Sequence, residues 1–494
     1  MPGEVKLGAF PCGDGTIDVS VWGPTAGSVA VRAGGETTQL ERDGEYWRGS
    51  FRGDEYVFVA DGKEWPDPCS RSQPQGVRGP SRVLDTSAFA WTDTGWRGLW
   101  LDKLVIYELH VGAFSEAGTF AGVEPRLSGL RELGVTAIEL MPVATFPGER
   151  GWGYDGLYNY AAHEAYGGPE GLARLVDAAH SAGLGVILDV VYNHVGPGNE
   201  ALRAFGPYFT DRHKTFWGDA IDYSQEGVRE WAIQNAEQWV RDFHVDGLRL
   251  DAVHAIFDDS PLHICAELKQ RVGDALVISE TEIGDWRPID EWEHDAQWYD
   301  ASHHDLHVLL TGERDGYYAD FGSVAGLADA LRGAGHDPRR LVVCAQNHDQ
   351  VGNRALGDRL PDDALRVAAA VTLFSPCTPL LFMGEEYFET APFQFFTDHI
   401  DPAIAEATRE GRRREFEQFA GFKGEVPDPQ AVETFLRSKI HLAEPDPLYR
   451  ELLALRRELP RELVAEVDGK TLTLRRGSVK LVADFDNKTV EIRR

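Results

Sequence analysis

An α/β fold built on a (β/α)8 TIM barrel, with an N-terminal immunoglobulin-like β-sandwich and a small C-terminal β domain, is what three features of the sequence predict. Strand-like and helical patterns alternate through the middle of the chain until eight strands have been counted. Short period-two segments broken by Gly, Asp and Pro crowd its beginning, and a second such set closes it. At 494 residues the chain is also too long for one compact core.

From Thr16 to Val59, segments such as TIDVSVWG, VAVRAG and EYVFVAD read as half-buried antiparallel strands. The Pro- and Gly-rich stretch WPDPCSRSQPQGVRGP, from Trp65 to Pro80, forms neither helix nor central strand and marks a connecting segment. The barrel strands follow as LVIYELHVG from Leu104, AIELMPV from Ala137, GVILDVVYNH from Gly185, GLRLDAV from Gly247, ALVISE from Ala275, AQWYD from Ala296, LVVCAQNHD from Leu341 and TPLLFMGEE from Thr378. Between them EGLARLVDAAHSAG, REWAIQNAEQWVRDF, SVAGLADALRGAG and DALRVAAAVTLF repeat apolar residues at three and four, and several end in a capping Gly. From Leu448 a helical stretch leads into LTLRR, VKLVADF and KTVEIRR, separated by turns. The expected domains are therefore 1–94, the barrel at 95–445 with a short insertion after its third strand, and 446–494.

Composition narrows the function. With 43% hydrophobic and 26% charged residues the chain is globular, and a net charge of −31 repels phosphate backbones and anionic lipid, so neither nucleic acid nor membrane is the expected partner. A neutral substrate suits it better. The opening MPGEVKLGAFPCGDG lacks the basic and apolar regions of a signal peptide, and no run approaches a membrane span, so a cytoplasmic location is expected. Five scattered cysteines form no C-x-x-C pair, and the expectation is buried free thiols. His303, His304 and His307 have a spacing seen in zinc helices but lack the Glu and a further ligand, so no metal and no cofactor is expected; a polar loop lining a cleft is the preferred reading. RRREF near Arg412 reads as a solvated helix face.

In a closed barrel the strand C-termini converge on one mouth, and here they carry Asp189 and His194, then Arg249, Asp251 and His254, then Glu280, then Asn347, His348 and Asp349. Arg249 and Asp251 are two apart and share a face, which sets a guanidinium beside a carboxylate. That favours an ionised nucleophile at Asp251, while Glu280 needs a less polar setting to hold a proton, the division of labour of a retaining glycosidase. Glu282 competes with Glu280 from the same face of SETE, and strand register favours Glu280.

Together, DVVYNH (Asp189 to His194), GLRLDAVH (Gly247 to His254), VISE ending at Glu280, and QNHDQ (Gln346 to Gln350) resemble the four signature regions of the α-amylase superfamily. The resemblance implies Asp251 as nucleophile, Glu280 as acid/base and Asp349 as the third carboxylate. It implies that Arg249 orients Asp251 and that His194 and His348 hydrogen-bond the sugar. Asp155, His254 and Asn347 join the candidate substrate contacts. GWGYDG (Gly151 to Gly156) is similar to the second-strand loop of glucan branching, debranching and trehalose-releasing members, whose Tyr, here Tyr154, stacks on a sugar.

HHDLHVLLTGERDGYYADF from His303, QNHDQVGNR from Gln346 and APFQFFTDH from Ala391 resemble the maltooligosyltrehalose trehalohydrolase family in particular. That family implies hydrolysis of the α-1,4 bond next to the terminal trehalose of maltooligosyl trehalose, and a maltooligosyltrehalose synthase as pathway partner. The alternatives are an α-1,4-glucan branching enzyme, an isoamylase-type debranching enzyme, or a non-catalytic glucan-binding barrel. Loops around His303 and Phe393 to Phe396 are the candidates for selecting trehalose. The chain departs from the family pattern at Cys69, where an aromatic is common, and in its short C-terminal cap.

Overall fold

The computed structural model describes residues 5–215, 217–417 and 424–494. Two antiparallel sheets open the chain. One orders strands Gly8–Pro11, Ile17–Trp22, Tyr46–Phe51 and Glu41–Asp43; the other is built from Glu36–Gln39, Val29–Ala33, Glu55–Ala60 and Lys63–Trp65, with Ser81–Arg82 paired to Glu55–Ala60. Alternate residues such as Val19, Val21, Val29, Val31, Tyr56 and Phe58 are buried, as period-two patterning requires.

The expected connecting segment carries no regular structure between Trp65 and Ser81, yet it is packed inside the molecule. Asp67 accepts from the Tyr56 hydroxyl at 2.6 Å and from the Cys69 N–H at 2.7 Å. Arg71 donates to the Leu7 carbonyl and lies over the rings of Phe10 and Tyr160, so one buried cation joins sandwich to barrel.

Eight parallel strands close the barrel in chain order: Ile106–Leu109, Ala137–Leu140, Gly185–Val190, Gly247–Leu250, Leu276–Ser279, Ala296–Trp298, Leu341–Cys344 and Thr378–Phe382. The last pairs with the first, Leu380 opposite Ile106. All eight coincide with the strands read from the sequence. Helices Gly168–Ala182, Glu226–Arg241, Val324–Leu331 and Asp362–Phe374 occupy the predicted periodic stretches, and the first ends on Gly183 at φ 82°, a conformation that favours glycine. Inside the barrel Ile106, Ala137, Ile187, Ile278, Ala296, Val342 and Leu380 form an apolar plug. The polar strand ends sit above that plug, at the C-terminal mouth.

After the third strand a short helix, Glu200–Phe205, leads to a hairpin of Phe209–Thr215 and Gly218–Ile221. Following the barrel, helix Pro447–Glu458 buries Tyr449, Leu452, Leu453 and Leu455, and a four-stranded antiparallel sheet ends the chain. Three of its strands were expected. The fourth, Val464–Asp468, escapes the pattern because Val464 and Val467 are both exposed, so no alternation marks it.

Two local readings are corrected. HHDLH lies on a helix, Asp300–Thr311, with His303 and His307 buried by packing. The solvated face holds at Arg413, Arg414 and Glu415, which are exposed, and fails at Arg412, whose side chain turns inward: it donates to the Gly352 carbonyl at 2.7 Å and lies over the rings of Phe395 and Phe416. All five cysteines are free thiols, four of them buried. Among the described residues no helix is long and apolar enough to cross a membrane.

Candidate active site

The third and fourth barrel strands pair Asp189 with Arg249, so the site begins with a buried ion pair set by sheet register. Arg249 is fully buried. Its Nη1 donates at 2.8 Å to both Asp189 and Asp251, and its Nη2 donates at 2.7 Å to Glu280. Beneath, the Trp298 ring lies 4.3 Å from the guanidinium carbon, a stacking that suits arginine and not lysine. One cation thus gathers three carboxyl groups from three adjacent strands.

Further donors fix the two carboxyls that face one another. Asn193 donates to the Asp251 backbone carbonyl at 2.8 Å and to its carboxylate at 2.7 Å. The Ala252 N–H donates to Glu280 Oε2 at 3.0 Å, the oxygen that Arg249 also holds. Ala252 adopts φ 40°, a left-handed conformation that costs a non-glycine residue about 1 kcal/mol or more, and the strain goes with aiming this amide at Glu280.

On the opposite side the seventh strand runs into helix His348–Gly352, capped by the Asn347 side chain accepting from Gln350 N–H at 2.8 Å. The cap engages the Asn347 oxygen and sets the directions of the next two residues. His348 is buried against Glu108 of the first strand, whose carboxylate accepts from its ring Nδ1 at 2.5 Å and its backbone N–H at 2.8 Å. Burial disfavours the imidazolium, but Asp349 and Glu108 outweigh it and push the His348 pKa up to about 10. The Tyr154 hydroxyl lies 2.7 Å from both His348 Nε2 and Asp189, with its ring stacked on the imidazole. Asp349 is half-buried, takes a 3.0 Å bond from Asn353 and stands 3.4 Å from His348.

His194 bonds the Asn193 side chain and the Tyr154 carbonyl, and Trp217 stacks on it with ring centroids 3.7 Å apart. Burial holds its pKa down at about 4, so it stays neutral. Asp155 faces His399 at 3.6 Å; burial raises its pKa against the pull of His399 and His194. His254 lies on the turn whose Val253 N–H binds the Glu280 carbonyl, and its own Nδ1 is buried without a partner among the described residues. The structure thus brings Tyr154, Arg249, Asp251, Glu280, His348 and Asp349 into one bonded cluster. Asn347 and His194 support it, and Asp155 and His254 lie at its margin.

Sequence reasoning missed several members. Glu108 and Glu139 interrupt otherwise apolar strands, the same anomaly that singled out Asp189. Burial, with Glu108 adding to it, pushes the Glu139 carboxyl well above the ordinary range. Asp300, at the end of the sixth strand, is pushed up to about 7 by burial and by the charges of Glu280 and Asp349. Asn193 stands in the DVVYNH motif but had been given no role. Conversely, Phe393 and Phe396 are wholly buried, Phe393 stacked on Trp152 at 5.1 Å, so they support the cleft wall without reaching a sugar. His303 donates to or accepts from groups of its own wall, Ala345 and Tyr318, and His307 pairs with Glu313 at 3.0 Å. Among the described residues no three His, Cys, Asp or Glu side chains are grouped to hold a metal ion.

Comparison with known proteins agrees with this geometry. The family model of the alpha amylase catalytic domain matches residues 66–217. A malto-oligosyltrehalose trehalohydrolase of Rhizobium sp. (strain M-11) is 41% identical, covering 98% of this chain and 93% of the relative. That of Deinococcus radiodurans is 44% identical over 92% of this chain and 84% of the relative. The branching enzyme of Salinibacter ruber is 32% identical over only 50% of this chain and 46% of its own length, which sets the transferase alternative behind. Among solved structures, a candidate alpha amylase from Salmonella typhimurium superposes with TM-score 0.89 at 38% identity, over 96% of this chain and 92% of that one. With the closed eight-stranded barrel and its carboxyl cluster, these likenesses show that the chain belongs to the malto-oligosyltrehalose trehalohydrolase family, glycoside hydrolases of the α-amylase superfamily.

Proposed function

We propose that the protein hydrolyses the α-1,4-glucosidic bond next to the terminal trehalose of maltooligosyl trehalose, with retention, and releases trehalose. The observation that carries the assignment is the shared guanidinium: Asp251 and Glu280 are bonded to the two terminal nitrogens of Arg249. Sharing one cation holds the carboxyls close, which favours the retaining separation of about 5 Å over the wider inverting one.

Glu280 Oε2 is engaged by Arg249 and Ala252, so Oε1 is the oxygen that carries the proton. Glu280 gives that proton to the departing glycosidic oxygen while Asp251 bonds to the anomeric carbon. Water then attacks the same carbon, gives its proton to Glu280, and Asp251 leaves as carboxylate. Asp349 stabilises the positive charge that develops on the sugar ring, and the charged His348 and the Tyr154 ring fix the sugar beside it. The reading places the enzyme in the cytoplasm, after a maltooligosyltrehalose synthase that supplies its substrate.

Incubation of the protein and its Asp251→Asn variant with maltotriosyl trehalose and, in parallel, maltopentaose tests this. The wild type should release trehalose from the first and largely spare the second, and the variant should lose about four orders of magnitude or more in kcat. Maltooligosaccharides formed from maltopentaose without trehalose from the other substrate would leave only a general glucan hydrolase; activity surviving in the variant would remove Asp251 from its role.

A further inference from the structure

We infer that a cavity between the sandwich and the barrel mouth is a second saccharide site, which holds the glucan chain of the substrate away from the cleavage point. This rests on the function proposed above. The cavity has a volume of about 300 Å³, at the lower end of small-ligand sites. It is built where three parts of the fold meet: Trp65 on the edge strand of the sandwich, Leu157 and Tyr158 after the second barrel strand, and His399 after the eighth.

Its lining has the two features that a sugar ring needs. Trp65, partly exposed, offers aromatic surface to the apolar face of a pyranose, and the buried Tyr158 backs the cavity wall. The Lys63 ammonium already sits 4.0 Å from the Trp65 ring centroid, so the sugar uses the opposite face or the ring edge. Hydroxyls then need polar partners. The His399 side chain is only 4% exposed and its Nδ1 has no partner among the described residues, while its Nε2 lies 3.6 Å from Asp155. A buried ring nitrogen left unpaired is costly, and a sugar hydroxyl would satisfy it.

Charge and position choose the ligand. The rim carries Arg78 against Glu64, Glu200 and Asp401, a net negative border that disfavours phosphate esters and accepts a neutral polyol. The cavity and the cleft share a wall: Tyr154 bonds Asp189 and His348 on one side, and Leu157, three residues on, lines the cavity on the other. Three residues of chain span at most about 11 Å. The cavity therefore lies beside the cleft, within the reach of a maltooligosaccharide that extends beyond Tyr154.

The test is the dependence of KM on chain length, for the wild type, for Trp65→Ala, and for Arg78→Ala combined with Glu64→Ala on exposed side chains should the first variant fold poorly. For long maltooligosyl trehaloses, KM should rise about tenfold in Trp65→Ala with kcat unchanged, while the shortest substrate is processed as in the wild type. Length profiles parallel to the wild type, or equal losses on short and long substrates, would overturn the proposal. If the wild type releases no trehalose at all, the hydrolase reading fails separately, and titration with maltoheptaose followed by tryptophan fluorescence decides the cavity. Weaker saturable binding in either variant supports it, and identical titrations overturn it.

Discussion

The fourth barrel strand separates two buried histidine–carboxylate clusters that use the same chemistry to different ends. Before the strand, Asp246 bonds His180 Nε2 at 2.9 Å, Trp96 Nε1 at 2.6 Å and the Val186 N–H at 2.8 Å, while His180 Nδ1 meets Asp93 at 2.9 Å. Both His180 nitrogens and both Asp246 oxygens are matched. At the other end of the strand Arg249, Asp251 and their neighbours leave Asp189 Oδ1, both Glu139 oxygens and Arg249 Nε without partners among the described residues. The first cluster clamps the segment after the sandwich against the barrel floor. The second leaves polar atoms unmatched beneath the barrel mouth, so its charges are held less completely than those of the clamp.

Three substitutions probe that contrast. Asp246→Asn should lower stability by about 3 kcal/mol, because it strips one partner from a buried pair, and leave kcat for the surviving folded protein unchanged. Burial lowers the His180 pKa, but Asp246 and Asp93 more than offset it and the net shift is upward. The clamp is therefore fully present below the ordinary imidazole value of about 6.5 and is lost as pH rises through the raised one. The difference in Tm between variant and wild type should accordingly be largest in mild acid and shrink toward alkaline pH. A constant difference would mean that the charge on His180 is irrelevant.

Glu108→Gln acts at the other end. It keeps the shape but removes a charge that holds the His348 proton, so kcat should fall about tenfold to a hundredfold, and Tm should fall as well because a buried pair loses one charge. Because His348 keeps its proton to about 10 in the wild type, the ratio of wild-type to variant rates should grow as pH rises past about 6.5. A pH-independent ratio would reduce Glu108 to a packing role. Smallest is Tyr154→Phe, which deletes the hydroxyl between Asp189 and His348 and keeps the ring; a loss of about threefold to tenfold is expected in kcat/KM.

The barrel was legible because each strand is an apolar run ended by a polar cluster, and the helices between them keep their period. Asp189, Arg249, Asp251, Glu280, His348 and Asp349 stood out for the same reason. Glu108, Glu139 and Asp300 did not, since a single acid within a strand or at a helix start looks the same in sequence whether or not a partner distant in the chain awaits it. Closure of the barrel supplies that partner: Glu108 on the first strand meets His348 after the seventh, across 240 positions. The burial of Arg412 and Phe393 was hidden likewise, because the loops that cover them are irregular and carry no period to read.

The arithmetic of charge at the mouth has a further consequence. Even with Glu280, Asp189, Glu139 and Asp300 all protonated, the three remaining acids Glu108, Asp251 and Asp349 outnumber the two cations Arg249 and His348. The resting pocket is thus short of one positive charge. A neutral glucan entering it leaves that deficit in place, whereas the oxocarbenium-like species formed as the bond breaks fills it, so the fold is electrically closest to complete at the moment of reaction.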